Sequence, residues 1–147
     1  MGRAYLHDTS PPEEGLEAQA VGAATVTGDI IDTLGYEGVE FVLHVNGGNR
    51  AIDAKVQRDD AVGFASPTDI TGAAITQIAG GTAKATKVIS VYKPAERYVR
   101  ISVTGSGGTT NRTVAAIARK YGPSGGAAAR YPVAALCDEQ VEVGENI

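Results

Sequence analysis

The sequence predicts an all-β chain: an antiparallel β-sandwich or barrel, jelly-roll-like, with extended N- and C-terminal arms. Three observations predict it. Several short segments alternate apolar and polar residues with a period of two, the spacing of a strand with one buried face. Gly- and Asn-rich turns separate them at roughly 8–15-residue intervals, as in sandwiches and barrels. Glycine takes 19 of 147 positions and no segment sustains a helical period. A chain of this length fits one domain of about 100–200 residues. It divides into an arm over 1–28, a β-body over 29–122 and a C-terminal arm over 123–147 that ends in acids.

Each element has its reason. Residues 8–28 hold Pro11 and Pro12 and small residues without period, so the stretch is extended or loop-like. Its second half, with Ala18, Ala20, Val21, Ala23, Ala24 and Val26, is too apolar for a solvated tail and suits an arm lying along another surface. Val39–Val45 is the first strong strand, with Val39, Phe41, Leu43 and Val45 on one face. Asn46-Gly47-Gly48-Asn49 then turns the chain. Ile52–Arg58 alternates again, and Asp59-Asp60 ends it. In 69–81 the spacing of Ile70, Ala74 and Ile78 is helical while Gly72 and Gly80-Gly81 interrupt, so a loop with a short strand or one helical turn is expected. Thr86–Tyr92 is a strand broken by Pro94, and Lys93–Glu96 has the length of a hairpin into Arg97–Thr104. In that strand Val99, Ile101 and Val103 face the core. After the glycine-rich tip 105–111, Arg112–Lys120 alternates as well and is expected to pair back on Arg97–Thr104.

The net charge of −4 is unevenly spread. Residues 1–20 carry Arg3 against Asp8, Glu13, Glu14 and Glu17, for −3. Asp138, Glu139, Glu142 and Glu145 bring −4 to the last ten, and the interior is left at +3. Acidic ends on a mildly basic body are unlike a nucleic-acid binder, whose face is basic and aromatic. They suit either solubility or arms that pair with basic surface on a neighbour. No run approaches the ~20 apolar residues of a membrane helix, and no basic-then-apolar leader is visible, so a soluble, cytosol-type chain is expected.

The tools of chemistry are scarce. Cys137 is the single cysteine and lacks a local His or Asp companion; His7 and His44 are far apart in sequence. The glycine-rich stretches lack the spacing of a phosphate-binding loop and read as turns. Asp53, Asp59 and Asp60 lack the calcium-loop pattern. No catalytic residue, metal site or cofactor is expected. Tyr92, Arg97, Tyr98 and Arg100 offer a surface for stacking a base or sugar, or for a protein interface, the reading preferred here because Tyr and Arg are enriched there. The candidate interface is Tyr92, Tyr98 and Arg100 with Pro11, Pro12, Val21 and Tyr131 from the arms. Few aromatics and many alanines make a thin core, which self-association would relieve.

Three runs carry a resemblance. Ile31-Asp32-Thr33-Leu34-Gly35-Tyr36-Glu37-Gly38-Val39-Glu40-Phe41, Lys55-Val56-Gln57-Arg58-Asp59-Asp60 with Phe64 downstream, and Lys93 through Gly105 resemble small virion proteins of tailed bacteriophages, encoded beside the head genes. The match covers about 29–122 and leaves the arms outside. The resemblance implies a non-enzymatic β-sandwich, a capsid decoration (cement) protein seated as a homotrimer on the outer shell. Its partners would be the major capsid protein and itself, with no nucleic acid, membrane or cofactor, and it would assemble in the host cytoplasm. A head-spike base or a head–tail or tail subunit is the alternative. A carbohydrate-binding sandwich is a third reading, disfavoured by the absence of Trp.

Overall fold

Alternation is realised as strands throughout. The computed structural model describes residues 12–123 and 139–144, and there the chain forms strands, turns and no helix. In order the strands are β1 (Pro12–Val21), β2 (Thr25–Thr27), β3 (Ile31–Asp32), β4 (Tyr36–Asn46), β5 (Ala51–Asp59), β6 (Thr68–Ala74), β7 (Lys84–Tyr92), β8 (Tyr98–Ser106), β9 (Arg112–Pro123) and β10 (Glu139–Gly144). One sheet has the order β1-β9-β4-β7-β10, the other β2-β8-β5-β6 with β3 also on β8. Every pairing is antiparallel except β10 on β7. The sheets are open and face each other, so the fold is a sandwich and not a barrel.

The order has a simple origin. Antiparallel pairs β1/β9, β2/β8, β4/β7 and β5/β6 are the rungs of one long ribbon folded at the β5–β6 connection. Wrapping that ribbon brings β9 beside β4 and β8 beside β5, which joins the pairs into the two open sheets. Eight strands wound in this way make a jelly roll.

The core lies between the sheets and is almost wholly aliphatic. Val39, Phe41, Leu43 and Val45 of β4 face Ile52, Ala54 and Val56 of β5, and Val99, Ile101 and Val103 of β8, all buried. Phe41 is the one aromatic in the cluster described between the sheets, and Phe64, also buried, lies outside that cluster. The faces assigned from alternation therefore hold in β4, β5 and β8, and in β9, whose alternation left the choice of face open, the structure buries Val114, Ala116 and Ala118.

Four local readings change. Lys93–Glu96 is not a hairpin but an arch from one sheet to the other, because β7 pairs with β4 and β10 and β8 with β5, β2 and β3. Lys93 turns the chain out of the sheet at φ 49°, its N–H donating to Glu37 O at 2.6 Å. For the same reason β9 does not pair back on β8; the 107–111 connection is a second arch, and β9 lies between β1 and β4. Connection length cannot separate a hairpin from an arch.

The third concerns the N-terminal arm. Of its residues, 12–28 are built into the sandwich: β1 is the edge of the first sheet and β2 an edge of the second. Pro12 heads an edge strand, where its missing N–H interrupts no ladder. The surface this segment covers is its own chain's, with Leu16 and Val21 buried in the core. Two register shifts, between Glu14 and Leu16 and between Leu16 and Gln19, erase the period that would have announced a strand. Last, 69–81 holds no helical turn. Gly72, at φ 82°, lies in β6 where pairing with β5 is irregular, and the buried positions run Ile70, Ala73, Ile75, Ile78. That slip mimics a helical spacing. Ile78 closes the region by exchanging backbone hydrogen bonds with Ile52. At the other terminus, 139–144 of the acidic end is strand β10 along β7, so strand structure lies beyond both ends of the 29–122 body.

Candidate functional site

All four described tyrosines gather at one end of the sandwich. Tyr36 begins β4, Tyr92 ends β7, Tyr121 lies near the end of β9 and Tyr98 begins β8; Gly38 is opposite both Tyr92 and Tyr121, and Tyr98 is opposite Asp32 and Asp59. Cations stand over the rings: Lys93 over Tyr92 at 5.3 Å, Arg97 over Tyr98 at 5.0 Å and Lys120 over Tyr36 at 4.9 Å.

The expected interface residues are only partly brought together. Tyr92 and Tyr98 share this end but belong to different sheets. Arg100 lies on the outer face of the second sheet, with its guanidinium 4.4 Å from the centre of the Phe64 ring and both Nε and Nη2 donating to Gln57 Oε1 at 3.2 Å. Pro12 is exposed on the β1 edge. Val21 is 0% exposed and belongs to the core, so it offers a partner nothing. Pro11 and Tyr131 lie outside the described residues, as do His7 and Cys137.

Between two loops at the tyrosine end runs an open groove of about 400 Å³, walled by Thr33–Tyr36 on one side and Lys93–Arg97 on the other. Its walls are tied across 65 residues of sequence. The Asp32 carboxylate accepts from Arg97 Nε at 2.8 Å and Nη2 at 2.7 Å. It also accepts from the Leu34 N–H at 3.0 Å, an Asx turn. Thr33 donates to Arg97 O through both its N–H (2.9 Å) and its hydroxyl (2.6 Å). Gly35, at φ 84°, completes the turn, and the Tyr36 N–H returns to Thr33 O. The hydrogen bond from Arg97, ahead of the Leu34 N–H, holds the Asp32 pKa down at about 2.

This bracing sets out one apolar side chain. Leu34, at the tip of the turn, is 66% exposed, beside Tyr36, Pro94 and Ala95. Leu34, like Val62 (67%) and Ile117 (52%), leaves most of its apolar surface in water, and a partner that covered it would gain about 25 cal/mol per Å². Sequence reasoning named neither Leu34 nor Tyr36 as a site; the available signal was an aliphatic residue at the tip of an Asp32-Thr33-Leu34-Gly35 turn.

The other candidates have structural duties. Asp59 is buried, and its carboxylate accepts from Ala61 N at 2.9 Å and Ser66 N at 2.7 Å, which draws its pKa below the usual carboxylate range. Asp53 accepts from Gln77 Nε2 at 2.8 Å. His44 is exposed, its Nδ1 3.1 Å from Thr86 Oγ1. Gly47, Gly48, Gly107 and Gly108 serve turns at positive φ. Among the described residues no three His, Cys, Asp or Glu side chains converge as a metal site. The tyrosine end offers an exposed leucine, aromatic faces and cations on a braced frame. No family model matches the chain, and no curated protein is found similar to it.

Proposed function

We propose that this chain is a non-enzymatic structural protein of a tailed-bacteriophage virion, a capsid decoration protein that docks on the outer surface of the major capsid shell through its tyrosine end. The observation that supports docking at this end is Leu34, held 66% exposed by a turn tied to Arg97. An apolar anchor ringed by Tyr and cationic residues has the composition of an interface centre. Because the turn is braced before any partner arrives, little ordering entropy opposes docking. The resemblance of 31–41, of 55–60 with Phe64, and of 93–105 to phage head-associated proteins supports the choice of a shell as the partner. In this reading the protein also associates with itself as a trimer.

The test is binding of purified protein to particles assembled without it. Leu34→Asp places a charge where an apolar pocket is expected, and its affinity should fall at least tenfold, about 1.4 kcal/mol, with unchanged circular dichroism. Unchanged affinity would remove the tyrosine end from the interface. Light scattering on the same sample should give the mass of three chains; a monomer at micromolar concentration would refute the trimer.

A further inference from the structure

At the end opposite the tyrosines, the largest fully buried side chain is charged. Arg112, the first residue of β9, is 0% exposed. Its guanidinium meets no carboxylate in any ion pair or hydrogen bond described; its partners are backbone carbonyls. Nη1 donates to Arg50 O and Ala79 O, both at 3.3 Å, and Nη2 donates to Thr82 O at 2.5 Å and Ala83 O at 3.3 Å. Nε has no partner. The four carbonyls come from two loops, the β4–β5 turn and the β6–β7 connection, and the guanidinium sits where they converge.

The surroundings are built to this shape. A Cβ on Gly48 would come within 2.7 Å of Arg112 Cγ and 2.2 Å of Asn111 O, and one on Gly80 within 2.2 Å of Asn49 O. Asn49 binds the third loop, its Oδ1 accepting from the N–H groups of Thr109 (2.9 Å) and Thr110 (2.8 Å). Arg50 Nη1 donates to Gly107 O at 2.6 Å. Burying a cation without a counter-charge is costly unless dipoles replace its water. Here the dipoles are four carbonyls, of which Ala79 O also accepts from the Thr82 N–H at 3.0 Å and would keep that bond if the guanidinium left. The planar fork of Arg spreads five donors over a wide span, where an ammonium gathers three around one nitrogen.

We propose that the carbonyls of Arg50, Ala79, Thr82 and Ala83 form a cage selective for a planar guanidinium, with Arg112 as its resident cation, and that filling this cage holds the loops of this end as one rigid unit. The role of Arg112 is positioning: the cation sets the loops, and the strands persist without it.

The experiment measures amide hydrogen exchange along the full chain for the wild type, Arg112→Ala, Arg112→Met and Arg112→Lys, each with and without low-millimolar guanidinium chloride. In Arg112→Ala, exchange at 48–51 and 79–84 should rise at least tenfold while the middle of β4 keeps its protection. Guanidinium should restore at least half of the lost protection, and equal concentrations of sodium chloride or urea should not. Arg112→Met, which fills the volume without donors, should be as loose as Arg112→Ala and gain nothing from guanidinium. Arg112→Lys, which keeps the charge, should fold and lie between wild type and Arg112→Met; it carries the test if Arg112→Ala does not fold. Wild-type protection in Arg112→Met would show that packing alone sets the loops. Equal rescue by sodium would show that the cage has no preference for the planar ion. Wild-type protection in Arg112→Lys would remove the need for the fork. Each of these results overturns the proposal.

Discussion

Truncating two isoleucines by the same three carbons tests how the alternation of each sheet is assigned. Ile101 lies in the middle of β8 at 0% exposure, with Val56 of β5 opposite; Ile117 lies in β9 at 52% exposure, on the outer face of the other sheet. Ile101→Ala loses roughly 2.4 kcal/mol of transfer free energy at about 0.8 kcal/mol per buried carbon. It also leaves a cavity, because β8 is held on both sides and cannot collapse, which brings the cost to about 3–4 kcal/mol, within the ~2–5 kcal/mol found for such changes. Ile117→Ala loses about half of the transfer term and opens no cavity, so its cost stays near 1 kcal/mol. Urea unfolding with unchanged m-value reads the difference directly. At roughly 2–4 °C per kcal/mol for a chain of this size, the melting temperature should fall by about 6–16 °C for Ile101→Ala and by less than about 4 °C for Ile117→Ala. Equal losses would refute the reasoning, since a one-residue slip exchanges the faces of a strand.

Two further outcomes follow from single contacts. Asp32 has its pKa lowered to about 2 from an ordinary 3.8, so its pair with Arg97 adds stability above pH ~4 that disappears as the pH falls through 2. The side chains are 44% and 45% exposed, so solvent screening keeps the contribution small. Unfolding of wild type and Asp32→Asn between pH 2 and 5 should show the two converging at the acid end; a constant gap would remove the ion pair as its cause. Gly38 lies beneath the Tyr121 ring, where an added Cβ would be 2.3 Å from Tyr121 Cζ and 2.6 Å from Val91 O. Gly38→Ala should therefore cost about 1–3 kcal/mol and displace Tyr121 from its 3.1 Å hydrogen bond with Ser90. In a Tyr121→Ala background the same change should cost less without becoming neutral, since the Val91 carbonyl remains; equal costs would place the strain elsewhere.

The sequence alone determined the β character of the chain and which face of β4, β5 and β8 is buried, while for β9 it showed alternation and left the face to the fold. Period-two alternation is a local property, readable from five to nine neighbouring residues such as Val39–Val45. It failed in β1 and β6, where bulges and Gly72 shift the phase and the buried residues no longer alternate. Partnership between strands was decided only in three dimensions. The connections after β4, β7 and β8 have hairpin length, yet each crosses between sheets, because the ribbon pairs β1 with β9 and β2 with β8 and then wraps on itself. The candidate site depends on the same non-local step. Leu34 and its turn are visible in the sequence, but their exposure and rigidity come from Arg97, which wrapping carries to Asp32 from 65 residues away. Local spacing records the face a residue presents, while the surface that face meets depends on contacts between segments far apart in the chain.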